Sequence, residues 1–152
     1  MANVVSERTV LDARDDFVKH DGMTYPKGVQ LRSIDYLTER YKTWAIFEAP
    51  RWTEKSHEFW FNTLGTQVGK PYDQAGITDF VKGMFTGKYE DYNYAPSNPD
   101  ETKAWFCDEL CVWAAMVSGI LPPIPVPIYT LTPGSALNLF IGAGWEISAQ
   151  KL

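Results

Sequence analysis

The sequence predicts a single α+β domain in which a small antiparallel sheet packs against one central, buried helix. Three observations carry that expectation. The first third of the chain is written in short β-forming runs broken by an Asp21-Gly22 turn signal. The segment from Trp105 to Ser118, WFCDELCVWAAMVS, is apolar almost all round and charged only at Asp108 and Glu109, the pattern of a helix enclosed on every side. A chain of 152 residues, 45% hydrophobic and 14% aromatic, is large enough for one core, so residues 1–152 are expected to form one domain.

Thr9-Val10-Leu11 and Asp15-Asp16-Phe17-Val18 precede the Asp21-Gly22 turn and Met23 to Leu31 follows it, which reads as a hairpin. Ser33 caps a short helix reaching Tyr41, and Thr43-Trp44-Ala45-Ile46-Phe47 is a buried-type strand ended by Pro50. Thr53 is an N-cap, with Glu54 in the first turn, for a helix to about Val68 whose apolar face is Trp60, Phe61, Leu64 and Val68. Gly69 ends it. The turn Gly69-Lys70-Pro71-Tyr72-Asp73 leads into a short apolar helical piece from Ile77 to Phe85, and a Tyr-, Asn- and Pro-rich stretch from Tyr89 to Asp100 reads as a loop. In the central helix both acids fall in the first turn, where they suit the positive end of the dipole, and Gly119 fits the C-terminal stop. The run LPPIPVPIYTL cannot be helical and is expected to lie extended along an edge; Thr132-Pro133 then restarts a helix as N-cap and first residue. The sequence shows no repeat and no linker.

Composition removes several function classes. The chain holds 2 Cys and 2 His (Cys107, Cys111, His20, His57), and these do not fall into paired zinc-ligand spacings. Two cysteines four apart on one helix are also poorly placed for a disulfide, so both read as thiols. The formal charge of −5, with 14 scattered basic residues, speaks against a nucleic-acid partner. No run of 18 apolar residues occurs, and the opening MANVVSERTVLDARDD lacks an apolar signal core, so neither membrane insertion nor a signal peptide is expected. No cofactor is expected either.

Cys107 is the leading chemical candidate. It falls in the first turn of the buried helix, where backbone N–H groups and the macrodipole stabilise a thiolate and can also bind an oxyanion. The plainer alternative is that it is one more small apolar residue in a helix that also carries Cys111, Ala114 and Ala115.

Three motifs bear on that choice: Gly69, Pro71, Tyr72 and Asp73 in the turn; Cys107, Glu109 and Leu110 at the helix start; and Thr132-Pro133. From about Trp44 to Leu139 the chain resembles the permuted papain-like amidases and peptidases, relatives of the NlpC-type cell-wall endopeptidases. In that family a Gly-x-Pro-Tyr-Asp turn precedes a Cys-Ser-Glu-Leu helix start and a Thr-Pro helix follows. The resemblance implies a permuted papain-like fold, Cys107 as nucleophile and Tyr72 close beside it. Asp108 stands where the family has Ser. No His follows position 57, which excludes the unpermuted order, in which the base comes after the cysteine. In the permuted order a Ser-His pair opens the first strand; here Ser6 matches the Ser and Glu7 falls where the His belongs. The family's later polar orienting residue falls near Tyr25-Pro26, and Pro cannot serve.

His20 is therefore the provisional base, with an exposed turn residue beside Asp21 as its plain alternative. His57, three and four residues before Trp60 and Phe61, reads as a packed histidine, and Cys111, one turn below Cys107, as core. Tyr89, Tyr92 and Tyr94 with Trp105 either line a sugar- or peptide-binding cleft or pin a loop to the body. Two functions follow as expectations. One is a cysteine hydrolase of amidase or peptidase type acting on a peptide or cell-wall-type substrate. The other is an inactive descendant of the fold, serving as a structural or binding component with protein partners in an assembly such as a bacteriophage virion or tail. The corresponding locations are the cytoplasm or the virion. Acyl transfer between lipids, which similar folds support, lacks a visible amphipathic or anchoring segment.

Overall fold

The computed structural model describes residues 1–6, 9–16, 18–20, 22–50, 52–89 and 102–152; the side chains of residues 5, 6, 18 and 20 are outside that description. Seven strands and five α-helices lie among these residues: β1 (Asn3–Ser6), β2 (Thr9–Arg14), β3 (Val18–His20), β4 (Met23–Tyr25), β5 (Gly28–Ser33), α1 (Ile34–Arg40), β6 (Trp44–Glu48), α2 (Glu54–Gly65), α3 (Gln74–Thr86), α4 (Cys107–Val117), α5 (Pro133–Gly142) and β7 (Glu146–Lys151). The architecture is mixed α+β with small antiparallel sheets, as the hydrophobic pattern predicts.

The sheet is divided. A three-stranded piece runs β1-β2-β5, while β3-β4 and β6-β7 form separate two-stranded ribbons. β2 and β5 pair from Thr9↔Ser33 to Arg14↔Gly28, and the β3-β4 hairpin continues beyond that last pair. Within the β2-β5 register Asp12 faces Gln30 and Arg32 faces Val10, so the two ionic side chains are diagonal neighbours on one face. The Arg32 guanidinium donates to the Asp12 carboxylate, and also to the carbonyls of Pro26 and Gly28 at 3.3 Å each. Pro26 thus offers a backbone carbonyl to a structural arginine.

The core gathers around α4, where Leu110, Val112, Trp113, Ala114 and Ala115 are all buried and pack toward β2, α2 and α5. Local rules start the surrounding helices. Thr53 and Ser56 form a reciprocal capping box on α2, and Thr132 and Ser135 form the same device on α5 with Pro133 at its first turn. Regular helix in α2 ends at Gly65, three residues earlier than the apolar spacing predicts; Gln67 and Val68 continue through i→i−3 bonds to Leu64 and Gly65. The tightened turn has a cause in the core: Gln67 is fully buried, and its Oε1 accepts a 2.9 Å hydrogen bond from the Trp105 indole. The buried stripe of the helix is Trp60, Leu64 and Gln67, and Phe61 and Val68, expected on the inner face, are exposed. The proline-rich run is irregular except for one 3-10 turn at Ile128–Thr130.

The turn from Gly69 to Asp73 stitches the sheet to the central helix. Val29 donates to Lys70 O and Gly69 donates to Val29 O, both at 2.8 Å. On its other side Trp105 donates to Pro71 O at 3.1 Å and Asp73 donates to Trp105 O at 3.0 Å, a parallel bridge between Tyr72 and Trp105. Tyr72 is thereby held beside Trp105, which lies two residues before Cys107.

Candidate active site

Cys107 is the first residue of α4, and Phe106 before it is extended, so the free N–H groups of the opening turn face the region of the thiol. Glu109 closes the turn from within: fully buried, its carboxylate accepts from the Phe106 N–H at 3.4 Å. Cys107 itself is half-buried, whereas Cys111 is buried and its thiol is pushed up to about 12 by loss of solvent. Cys111 accordingly behaves as core. Iodoacetamide at neutral pH is expected to modify Cys107 and leave Cys111 untouched until the protein unfolds. Peptide mapping of the labelled protein checks this, and comparable labelling of both in the folded state would refute it.

Two polar side chains meet the Cys107 thiol. Its S–H donates to Asp108 Oδ1 at 3.7 Å, and Asp108 is only 2% exposed. Burial lifts the Asp108 carboxyl above the usual carboxylate range, against the pull of a backbone hydrogen bond and of Cys107. Its second oxygen is buried with no hydrogen-bond partner among the described residues. Tyr72, half-buried, has its hydroxyl pushed up to about 12, first by burial and then by the negative character of Cys107, Asp108 and Asp15. A tyrosine so placed remains a hydrogen-bond donor at neutral pH.

The structure brings together Cys107, Tyr72 and Asp108, and the last was assigned by sequence only to the helix dipole. The signal was present, since an acid stands beside the cysteine where the family resemblance expects Ser. His57 is elsewhere. It is exposed on α2, its ring 5.2 Å from that of Trp52 and 6.0 Å from that of Trp60, so it lies against two indoles without being enclosed. The backbone of His20 ends β3 opposite Met23, while its side chain lies outside the described residues, as does all of Glu7. Trp105 does not line a cleft: it is fully buried and stacks 4.8 Å from Trp113, because its indole is anchored to Gln67. Tyr89 sits 5.9 Å from Phe80 of α3, which fits the pinned-loop alternative; Tyr92 and Tyr94 are outside the described residues.

Among the described residues no three His, Cys, Asp or Glu side chains converge as a metal-ligand set, and no helix is long and apolar enough to cross a membrane. The chain matches no known protein family, no curated protein and no solved structure.

Proposed function

We propose that the protein is a cysteine hydrolase that cleaves an amide or ester through an acyl-enzyme on Cys107. The observation that carries this reading is the hydrogen bond from the Cys107 thiol to the buried Asp108 carboxylate at the first turn of α4. A thiol at its free pKa is mostly protonated near neutrality, so a nucleophilic cysteine needs a proton acceptor within reach. A carboxyl raised by burial is a better match for that task than an ordinary aspartate.

In this scheme the S–H proton passes to Asp108 as sulfur bonds to the substrate carbonyl carbon. The oxyanion meets the Tyr72 hydroxyl and the free N–H groups of α4. Asp108 returns the proton to the departing amine or alkoxide as the C–N or C–O bond breaks, and water then hydrolyses the thioester. His20 is the competing base. The β3-β4 hairpin that carries it springs from the Arg14–Gly28 pair, and Gly28 abuts Lys70 and Pro71 of the turn that holds Tyr72. A permuted papain-like origin and a peptide or cell-wall-type substrate rest on the motif resemblance.

A second reading, a non-catalytic binding or assembly component, draws support from His57, the one histidine whose ring is described, which lies on α2 against Trp52 and Trp60. The two are separated by incubating the protein with p-nitrophenyl acetate and following intact mass. The hydrolase reading expects one acetyl adduct that maps to Cys107, decays with time and is absent in Cys107→Ala. His20→Gln should retain the adduct if Asp108 is the base. No adduct on Cys107 in the folded protein would overturn the hydrolase reading.

A further inference from the structure

The Asp12–Arg32 pair is a costly arrangement for the stability it brings. Arg32 is 1% exposed and Asp12 3%, and taking both charges out of water offsets most of what their attraction gains. The arginine is also unevenly satisfied. Its Nε donates to Asp12, its Nη2 is shared between the Pro26 and Gly28 carbonyls at 3.3 Å each, and its buried Nη1 has no hydrogen-bond partner among the described residues. A plain ion pair needs only the first of these contacts. The other two reach the chain between β4 and β5, and the planar fork of arginine lets one side chain hold a carboxylate and that backbone together.

The backbone so held leads toward Cys107. The Gly28 carbonyl and the Val29 N–H belong to one peptide group; Arg32 holds its oxygen, and its N–H donates to the Lys70 carbonyl at 2.8 Å. Lys70 runs directly into Pro71 and Tyr72, where the Pro71 carbonyl and the Asp73 N–H complete the bridge to Trp105 at 3.1 and 3.0 Å. Rotation of the Gly28–Val29 peptide would turn its N–H away from Lys70 and release the turn from β5. The guanidinium opposes that rotation.

We infer that Arg32 is a positioning residue for Tyr72, keeping its hydroxyl where the oxyanion forms by way of the Gly28–Val29 peptide and the Lys70–Pro71 turn. The inference rests on the cysteine-hydrolase reading, and it gives the buried ion pair a part in acyl transfer as well as in the sheet.

The test compares two reactions of one thiol in the full chain. Acetylation by p-nitrophenyl acetate passes through an oxyanion as sulfur bonds to the acetyl carbon and p-nitrophenolate leaves, whereas iodoacetamide loses iodide from a saturated carbon and forms none. Arg32→Lys keeps the charge opposite Asp12 and gives up the fork. It should slow acetylation of Cys107 about tenfold to a hundredfold and leave its alkylation rate unchanged. Tyr72→Phe should slow acetylation about a hundredfold. Adding Arg32→Lys to it should cost nothing further, because two residues that act through one hydroxyl are not additive. If Arg32→Lys does not fold, Asp12→Asn with Arg32→Gln removes both charges together, which a buried pair tolerates better than the loss of one partner, and the same split is expected. Equal slowing of acetylation and alkylation marks a general loosening of the fold and overturns the inference. So do unchanged acetylation, and additive losses in the combined variant, which would route the effect through another group such as His20. Those three outcomes leave the hydrolase reading standing; no acetylation of Cys107 in the unaltered protein overturns that reading and this inference with it.

Discussion

Replacing Asp108 by Asn is expected to make the protein more stable and less active at once. On the activity side, the variant removes the group that accepts the thiol proton, and general-base losses run from about a hundredfold to ten-thousandfold. On the stability side, the folded-state pKa of Asp108 is raised, chiefly by burial. The folded protein therefore binds the Asp108 proton more tightly than the unfolded chain does. The contribution of this group to stability is greatest in acid and falls as pH climbs from the unfolded carboxyl value, about 4, through the folded one. Above that window the charged side chain carries an unpartnered buried oxygen at full cost. A neutral amide of the same shape costs less in that position, so Asp108→Asn should gain about 1 kcal/mol at pH 7 and little or nothing below pH 4. Asp12, also raised by burial despite Arg32, keeps part of the pH dependence in the variant. Urea unfolding at pH 4 and pH 7, run beside turnover of an activated ester, reads both effects. Unchanged turnover with increased stability would remove Asp108 from the chemistry and leave it a structural misfit.

How the sequence discloses such a site depends on the range of the interaction. The start of α4 is legible because everything that defines it is local: an apolar run, two acids in its first turn and a loop before it. The capping boxes at Thr53 and Thr132 are legible for the same reason. The strand β7 is not, since Glu146–Lys151 alternates nothing, is exposed along its whole length and exists only because it pairs with β6 a hundred residues earlier. Phe61 lies about 100° around α2 from the buried stripe of Trp60, Leu64 and Gln67, and the sequence conceals that stripe because its third member is a polar residue buried by its bond to Trp105. The residue type at Asp108 was plain, but its burial follows from how α4 docks, and burial is what changes its chemistry. Tyr72 beside Cys107 was foreseen through the motif resemblance; the structure supplies a physical reason, the parallel bridge to Trp105.

That bridge holds only while the turn before it is seated on β5, and the seat is Gly28. Gly28 has φ +95°, and a Cβ built there would stand 2.3 Å from the Lys70 carbonyl oxygen and 3.2 Å from the Pro71 Cα. Both obstacles are backbone, so no rotamer change relieves them. Moving Lys70 away would stretch the hydrogen bond that Val29 donates to its oxygen, and with it the path to Pro71 and Tyr72. Gly28→Ala therefore combines a left-handed penalty of about 1–2 kcal/mol with an overpacking cost of about 1–3 kcal/mol, for an expected loss of about 3 kcal/mol in urea unfolding. Gly22→Ala is the matched control. Its φ is +75°, but nothing lies within 4 Å of the added carbon, so only the conformational part, about 1 kcal/mol, should appear. Of the two, Gly28→Ala alone should also slow acetylation of Cys107, since a shift of about 1 Å in a positioning group costs on the order of a hundredfold. Equal losses of stability in the two variants would mean that the turn can follow β5 freely, and that Tyr72 is not held to Cys107 through this contact.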